Sequence, residues 1–289
     1  MPRRSKLAIL CGAVILAAAG VLSFVLAIHG ERLARLHFRL WRAVSSESHG
    51  GRYVEINGVK LYYETFGHGL PAVVVLHGGL GSIVDMHNQI RALAERRTVV
   101  AIDSRGHGRS SDGAAPLSYG LMADDTFKLL KPLGLEPVDI VGFSDGGIIG
   151  LDLAMHHPAL IRRLVAIGAN FNPDGLVDSQ APDTLSGSHI PAPAQKEELN
   201  TLRHKVTTMW HTEPNYTLHD LAMIKAPTLI IAGERDVVRR QHTDALANAI
   251  PGARKVIIKD STHEVLIEKP GSVDELILDF LDGPTLLPR

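Results

Sequence analysis

Six short apolar runs constrain this chain more than any other feature. They read AVVVLHG (residues 72–78), TVVAIDS (98–104), DIVGFS (139–144), RRLVAIG (162–168), PTLIIAG (227–233) and RKVIIKD (254–260). Rich in Val and Ile, each is apolar enough to be buried on both faces, as strands of a parallel sheet are. Between and after them, residues 86–94, 119–133, 146–157, 243–250 and 273–281 show helical periodicity. Strand and helix in alternation predict an α/β fold, a mostly parallel sheet with helices on both faces. Two more strands, RYVEI and VKLYYETFG, flank Asn57-Gly58, a strong hairpin signal. They add an antiparallel edge and bring the expected sheet to eight strands.

Residues 169–226 break the alternation. They are rich in Pro, Asp and Ser, carry no strand signal, and predict a small cap with helices near 195–210 and 218–224. A composition of 45% hydrophobic and 21% charged residues is ample for a large core, and a net charge of −1 argues against a nucleic-acid partner. With a single cysteine, Cys11, the chain has no internal disulfide and no thiol metal site. Its 15 histidines show no paired ligand spacing; His204 and His211 read as a solvated helix face. Neither a metal nor a cofactor is expected, and oligomeric state is not encoded in any motif.

The N-terminus is separate. Residues 7–28, LAILCGAVILAAAGVLSFVLAI, carry no charge and follow Arg3, Arg4 and Lys6. About 22 residues at about 1.5 Å each reach across a hydrocarbon core of about 30 Å. A cleaved signal peptide would use Ala17-Ala18-Ala19, but the apolar run continues past it, which favours a transmembrane anchor. Residues 30–44 then repeat Leu33, Leu36, Leu40 and Val44 beside Arg32, Arg35, Arg39 and Arg42, the pattern of a basic helix at a membrane surface or of a solvated spacer. A short basic tail before the span favours a catalytic domain outside the cytoplasm; secretion after cleavage is the alternative. The polar SSESHGG, residues 45–51, is the expected linker, so residues 1–50 form the anchor and residues 51–289 the main domain.

The run VDIVGF ends at Ser144, and a helix is expected from Gly146. A strand turning directly into a helix strains the corner residue and needs small neighbours, which Gly142, Gly146 and Gly147 supply. This is the G-x-S-x-G nucleophile elbow. A serine hydroxyl needs a base, and His263 follows the last strand; Asp236, after the preceding strand, would orient it. Asp260 lies closer in sequence but reads as a turn former, and Glu234 and Glu264 are weaker rivals. A developing oxyanion needs two backbone donors. Asp145, after the nucleophile, supplies one; the loop HGGLGS supplies the other, with Gly79 first and Leu80 second. His77 reads as a brace for this loop.

With LHGGLGS, IDSRGHGRS, GFSDGG, GERD and STHEVLIEKP in this order, residues 51–281 resemble the α/β-hydrolase superfamily. The resemblance implies a serine hydrolase acting on small-molecule esters, with Asp103, Arg105 and His107 bracing a structural turn. It does not reach residues 1–50 and is loose across the cap. Serine at the nucleophile position sets the chain apart from dehalogenase and epoxide-hydrolase relatives, which use Asp there. Asp145 resembles the acidic residue after the serine in valacyclovir-hydrolase-like members and suggests a cationic substrate. The same triad also serves amide or carbon–carbon cleavage and perhydrolysis, and a ligand receptor can keep the scaffold.

Overall fold

The computed structural model describes residue 40, residues 48–177 and residues 193–283. The chain divides into residues 1–44 and residues 45–289. The apolar run 7–28, all but Leu40 of the basic segment after it, and residues 178–192 of the cap lie outside the described residues. Among the described residues no helix is long and apolar enough to cross a membrane.

Eight strands form one sheet in the order β1-β2-β4-β3-β5-β6-β7-β8. They are β1 (Ser48–Ile56), β2 (Val59–Phe66), β3 (Val73–Leu76), β4 (Val99–Asp103), β5 (Val138–Phe143), β6 (Ile161–Ile167), β7 (Thr228–Arg235) and β8 (Arg254–Thr262). All pairings from β4 through β8 are parallel, whereas β1–β2 and β2–β4 are antiparallel. The hairpin turns at Asn57 (φ 49°) and Gly58 (φ 76°), two positive φ values that few residues other than this pair accept. One boundary differs from expectation: β1 takes in Ser48–Gly51, four residues of the anticipated linker. Ser48 pairs with Phe66 and Gly51 with Glu64 on either side of an irregularity in the register, and without a side chain at Gly51 the Tyr62 ring can lie against it.

The helices are α1 (His87–Ala94), α2 (Tyr119–Leu130), α3 (Asp145–His156), α4 (Pro193–Thr212), α5 (Leu218–Leu221), α6 (Arg240–Ala249), α7 (Val265–Glu268) and α8 (Pro270–Asp282). The cap helices fall where expected. Two helices start earlier than their periodicity indicates, α6 at Arg240 and α8 at Pro270, where proline suits a first turn because its missing N–H has no helical partner. The central strands are apolar on both faces: every residue of β3 and β5 is buried. Burying each such Val, Ile or Leu stabilises the fold by about 1.5–3 kcal/mol. At the far end of β5 from Ser144, buried Asp139 pairs with Arg97 and Arg162, while Arg163 donates to the carbonyls of Phe280 and Gly283 and holds down the end of α8.

Candidate active site

Ser144 is the single residue between β5 and α3. Its backbone sits at φ 51°, ψ −117°, a conformation that costs a non-glycine residue about 1–3 kcal/mol. The crossing of β5, α3 and β3 enforces it. A Cβ on Gly142 would overlap the Gly146 carbonyl, and one on Gly146 would overlap the Leu76 carbonyl. These two glycines are what allow so sharp a corner.

Asp236 and His263 are each the first residue past the carboxyl end of a strand, β7 and β8, at the edge where a parallel sheet presents its sites. His263 Nε2 lies 3.0 Å from Ser144 Oγ, and His263 Nδ1 lies 2.7 Å from Asp236 Oδ1. A carboxylate only accepts, so Nδ1 carries the hydrogen and Nε2 is free to accept from the hydroxyl. Asp236 also accepts from the backbone N–H groups of Gly233 (3.3 Å) and Val238 (3.0 Å). Burial opposes the charged form of Asp236, but the hydrogen bond and charge of His263 and those two N–H groups outweigh it, and its pKa falls below the usual carboxylate value. For His263 burial opposes protonation, yet the Asp236 hydrogen bond and charge, with Glu264 and Asp145, prevail and raise its pKa above 6.5. Asp260, by contrast, has φ 51° and donates its N–H to Glu234 Oε2 at 3.1 Å; the structure does not bring it to His263 Nδ1.

Asp145 opens α3, so its backbone N–H belongs to the first turn and has no acceptor within the helix. The loop after β3 packs on the elbow: a Cβ on Gly78 would lie 3.2 Å from Ser144 Cβ. A turn closed by Gly81 N–H to Gly78 O (3.1 Å) carries Gly79 and Leu80, with Leu80 at φ 59°. His77 holds this turn, donating from Nδ1 to Gly78 O (2.7 Å) and accepting the Ser104 N–H on Nε2 (3.0 Å), which fixes the orientation of its ring. The following motif is equally bound in. Asp103 accepts from the N–H groups of Ile83 (2.8 Å) and Arg109 (2.9 Å), and Arg105 makes a two-pronged pair with Asp125 (2.5 and 2.6 Å). Burial pushes the pKa of His107 down to about 3, so it is a neutral donor to Arg105 O (2.9 Å).

Sequence reasoning missed four neighbours. Gly168, at φ 62°, passes so close that a Cβ would lie 2.8 Å from His263 Cε1. The Phe143 ring lies 5.0 Å from the imidazole, centre to centre. Trp210 on α4 donates Nε1–H to Asp145 at 2.9 and 3.2 Å, and Tyr119 donates its hydroxyl to the same carboxylate at 2.9 Å. None of these contacts had a local signal, and the one from Trp210 to Asp145 joins residues 65 positions apart. The expectation that Asp145 meets a cationic substrate thus competes with two contacts already made, in a residue 5% exposed. A hydroxyl, an imidazole acceptor and an orienting carboxylate in line can move a proton from oxygen to nitrogen and back, as acyl transfer requires.

Residues 71–187 match the family model described as the alpha/beta hydrolase fold, and residues 197–288 match one described as a TAP-like protein. The chain is 32% identical over 248 residues to serine hydrolase BPHL of Mus musculus, covering 79% of this chain and 85% of the relative. It is 29% identical over 265 residues to the putative carbamate hydrolase RutD of Azorhizobium caulinodans, covering 81% and 97%. Among solved structures, the enol-lactonase from Burkholderia xenovorans LB400 superposes with a TM-score of 0.67 at 24% identity, over 80% of this chain and 100% of that one, a likeness of fold.

Proposed function

The chain belongs to the α/β-hydrolase family of serine hydrolases, and from that premise we propose that it cleaves carboxylic esters through an acyl-enzyme formed on Ser144. The observation that carries this proposal is the line from Ser144 Oγ to His263 Nε2 (3.0 Å) and from His263 Nδ1 to Asp236 Oδ1 (2.7 Å). As Ser144 Oγ attacks the ester carbonyl, His263 takes its proton and Asp236 stabilises the imidazolium. The backbone N–H groups of Asp145 and of Gly79, or in its place Leu80, hold the oxyanion. His263 then returns the proton to the leaving alcohol, and water activated by the same imidazole releases the acid.

Initial rates on p-nitrophenyl esters, on the matching anilides and on β-diketones test this reading. Esters are expected to turn over fastest, with Ser144→Ala reducing kcat by at least about 10³-fold. Faster cleavage of anilides or β-diketones would move the assignment to amide or carbon–carbon chemistry. Stoichiometric binding without sustained turnover would make the protein a receptor.

Residues 7–28 serve in this proposal as a membrane anchor, with the hydrolase domain outside the cytoplasm and an apolar ester reaching it from the bilayer. The length and charge-free composition of that run support it.

A further inference from the structure

We infer that Trp210 is a specificity-determining residue, its indole walling the acyl pocket of Ser144 so that small acyl groups are favoured; this rests on the ester-hydrolase reading above. A Cβ on Gly79 would lie 2.5 Å from Trp210 Cζ2 and 2.6 Å from Asp145 Oδ2, so the indole rests directly on the loop that supplies an oxyanion donor. Ser144, Gly79 and Trp210 are each partly exposed, whereas Asp145, which links them, is buried. A substrate carbonyl seated between Ser144 and Gly79 therefore brings its substituents up against the ring.

The ring is held in place. Its Nε1–H spans both carboxylate oxygens of Asp145 at 2.9 and 3.2 Å, and swinging it aside would leave a buried carboxylate with only the Tyr119 hydroxyl among these side-chain donors. The helix that carries it is also pinned. Lys205 Nζ reaches Asp112 Oδ2 (2.6 Å) and Gly113 O (2.9 Å), Glu213 accepts the Tyr119 N–H (3.0 Å), and Val206 and Met209 are buried. A fixed aromatic wall, unlike a mobile side chain, cannot yield to a longer acyl group without breaking these contacts.

The test compares second-order labelling rates of a methyl and a dodecyl fluorophosphonate, followed by intact-protein mass spectrometry. In each, Ser144 Oγ bonds phosphorus, fluoride departs and the hydroxyl proton passes to His263, while the alkyl group takes the acyl position. The dodecyl-to-methyl rate ratio is expected to rise at least fivefold in Trp210→Ala and, should that variant fail to fold, in Trp210→Leu. Trp210→Phe, which keeps a ring but loses the donor, is expected to shift the ratio less than Trp210→Ala does. A ratio changed less than fivefold in a folded, labelled variant overturns the inference and leaves the ester-hydrolase reading standing. No labelling of the wild type by the methyl probe overturns both.

Discussion

At the scale of single residues, His263 is the pivot. Its raised pKa, set against burial by the Asp236 hydrogen bond and charge, means that the free base is lost at a higher pH than for an ordinary histidine. The acid limb of kcat/KM is therefore expected to inflect above 6.5, activity rising with pH as Nε2 loses its proton; a pH–rate profile checks this. Asp236→Asn is expected to lower kcat by about 10³–10⁴-fold while leaving the fold intact, as circular dichroism and stopped-flow turnover together would show. The placement of Ser144, Asp236 and His263 just past strand ends was readable in the sequence because each follows an apolar run with the pattern of a buried strand. Their distances were not, because convergence depends on the twist and register of strands far apart in the chain. Asp145 shows the limit: its backbone position followed from the elbow, but its side-chain partners Tyr119 and Trp210 come from two other helices.

At the scale of elements, the helices are joined to the sheet by buried polar links that periodicity does not encode. Arg105 and Asp125 fasten α2 to the turn after β4, with Asn57 of the hairpin donating to the same carboxylate at 2.7 Å. Asp125→Ala strands a buried guanidinium and is expected to cost about 3–5 kcal/mol, measured by urea denaturation. Helix α8 docks on α1 through Gln89 Nε2 and Asp274 Oδ1 at 2.9 Å, and burial pushes the Asp274 carboxyl up to about 6 despite that hydrogen bond. The folded state thus binds this proton more tightly than the unfolded chain. Its stabilising effect is full below 3.8 and is lost as pH rises through about 6. A side-chain amide at this position would not titrate, so Asp274→Asn is expected to gain roughly 1–3 kcal/mol over wild type at pH 8 relative to pH 3.5, read from thermal melts at both. The strands were readable as elements because β3 and β5 are buried throughout. The start of β1 was not, because glycines and serines that look like a linker can still pair along an exposed edge.

At the scale of the whole molecule, one sheet with its own core carries the hydrolase fold, and a membrane location is what we propose for the N-terminal run. Removing residues 1–44 is expected to leave hydrolysis of short soluble esters within about twofold and to reduce turnover of short-acyl esters of long-chain alcohols presented in vesicles. Equal loss on both substrates, or loss on neither, would count against delivery from the bilayer. Substrate chemistry was the least readable property. Under the proposed reading the motifs describe what happens at a carbonyl, whereas the cap sequence has no pattern tied to a ligand.

The most direct measurement is to quench the reaction with a p-nitrophenyl ester during its first turnover and map the product by mass spectrometry. Acyl transfer predicts one added acyl group on the peptide containing Ser144, absent in Ser144→Ala. Turnover that persists in Ser144→Ala, or an acyl group found on a different residue, would contradict it.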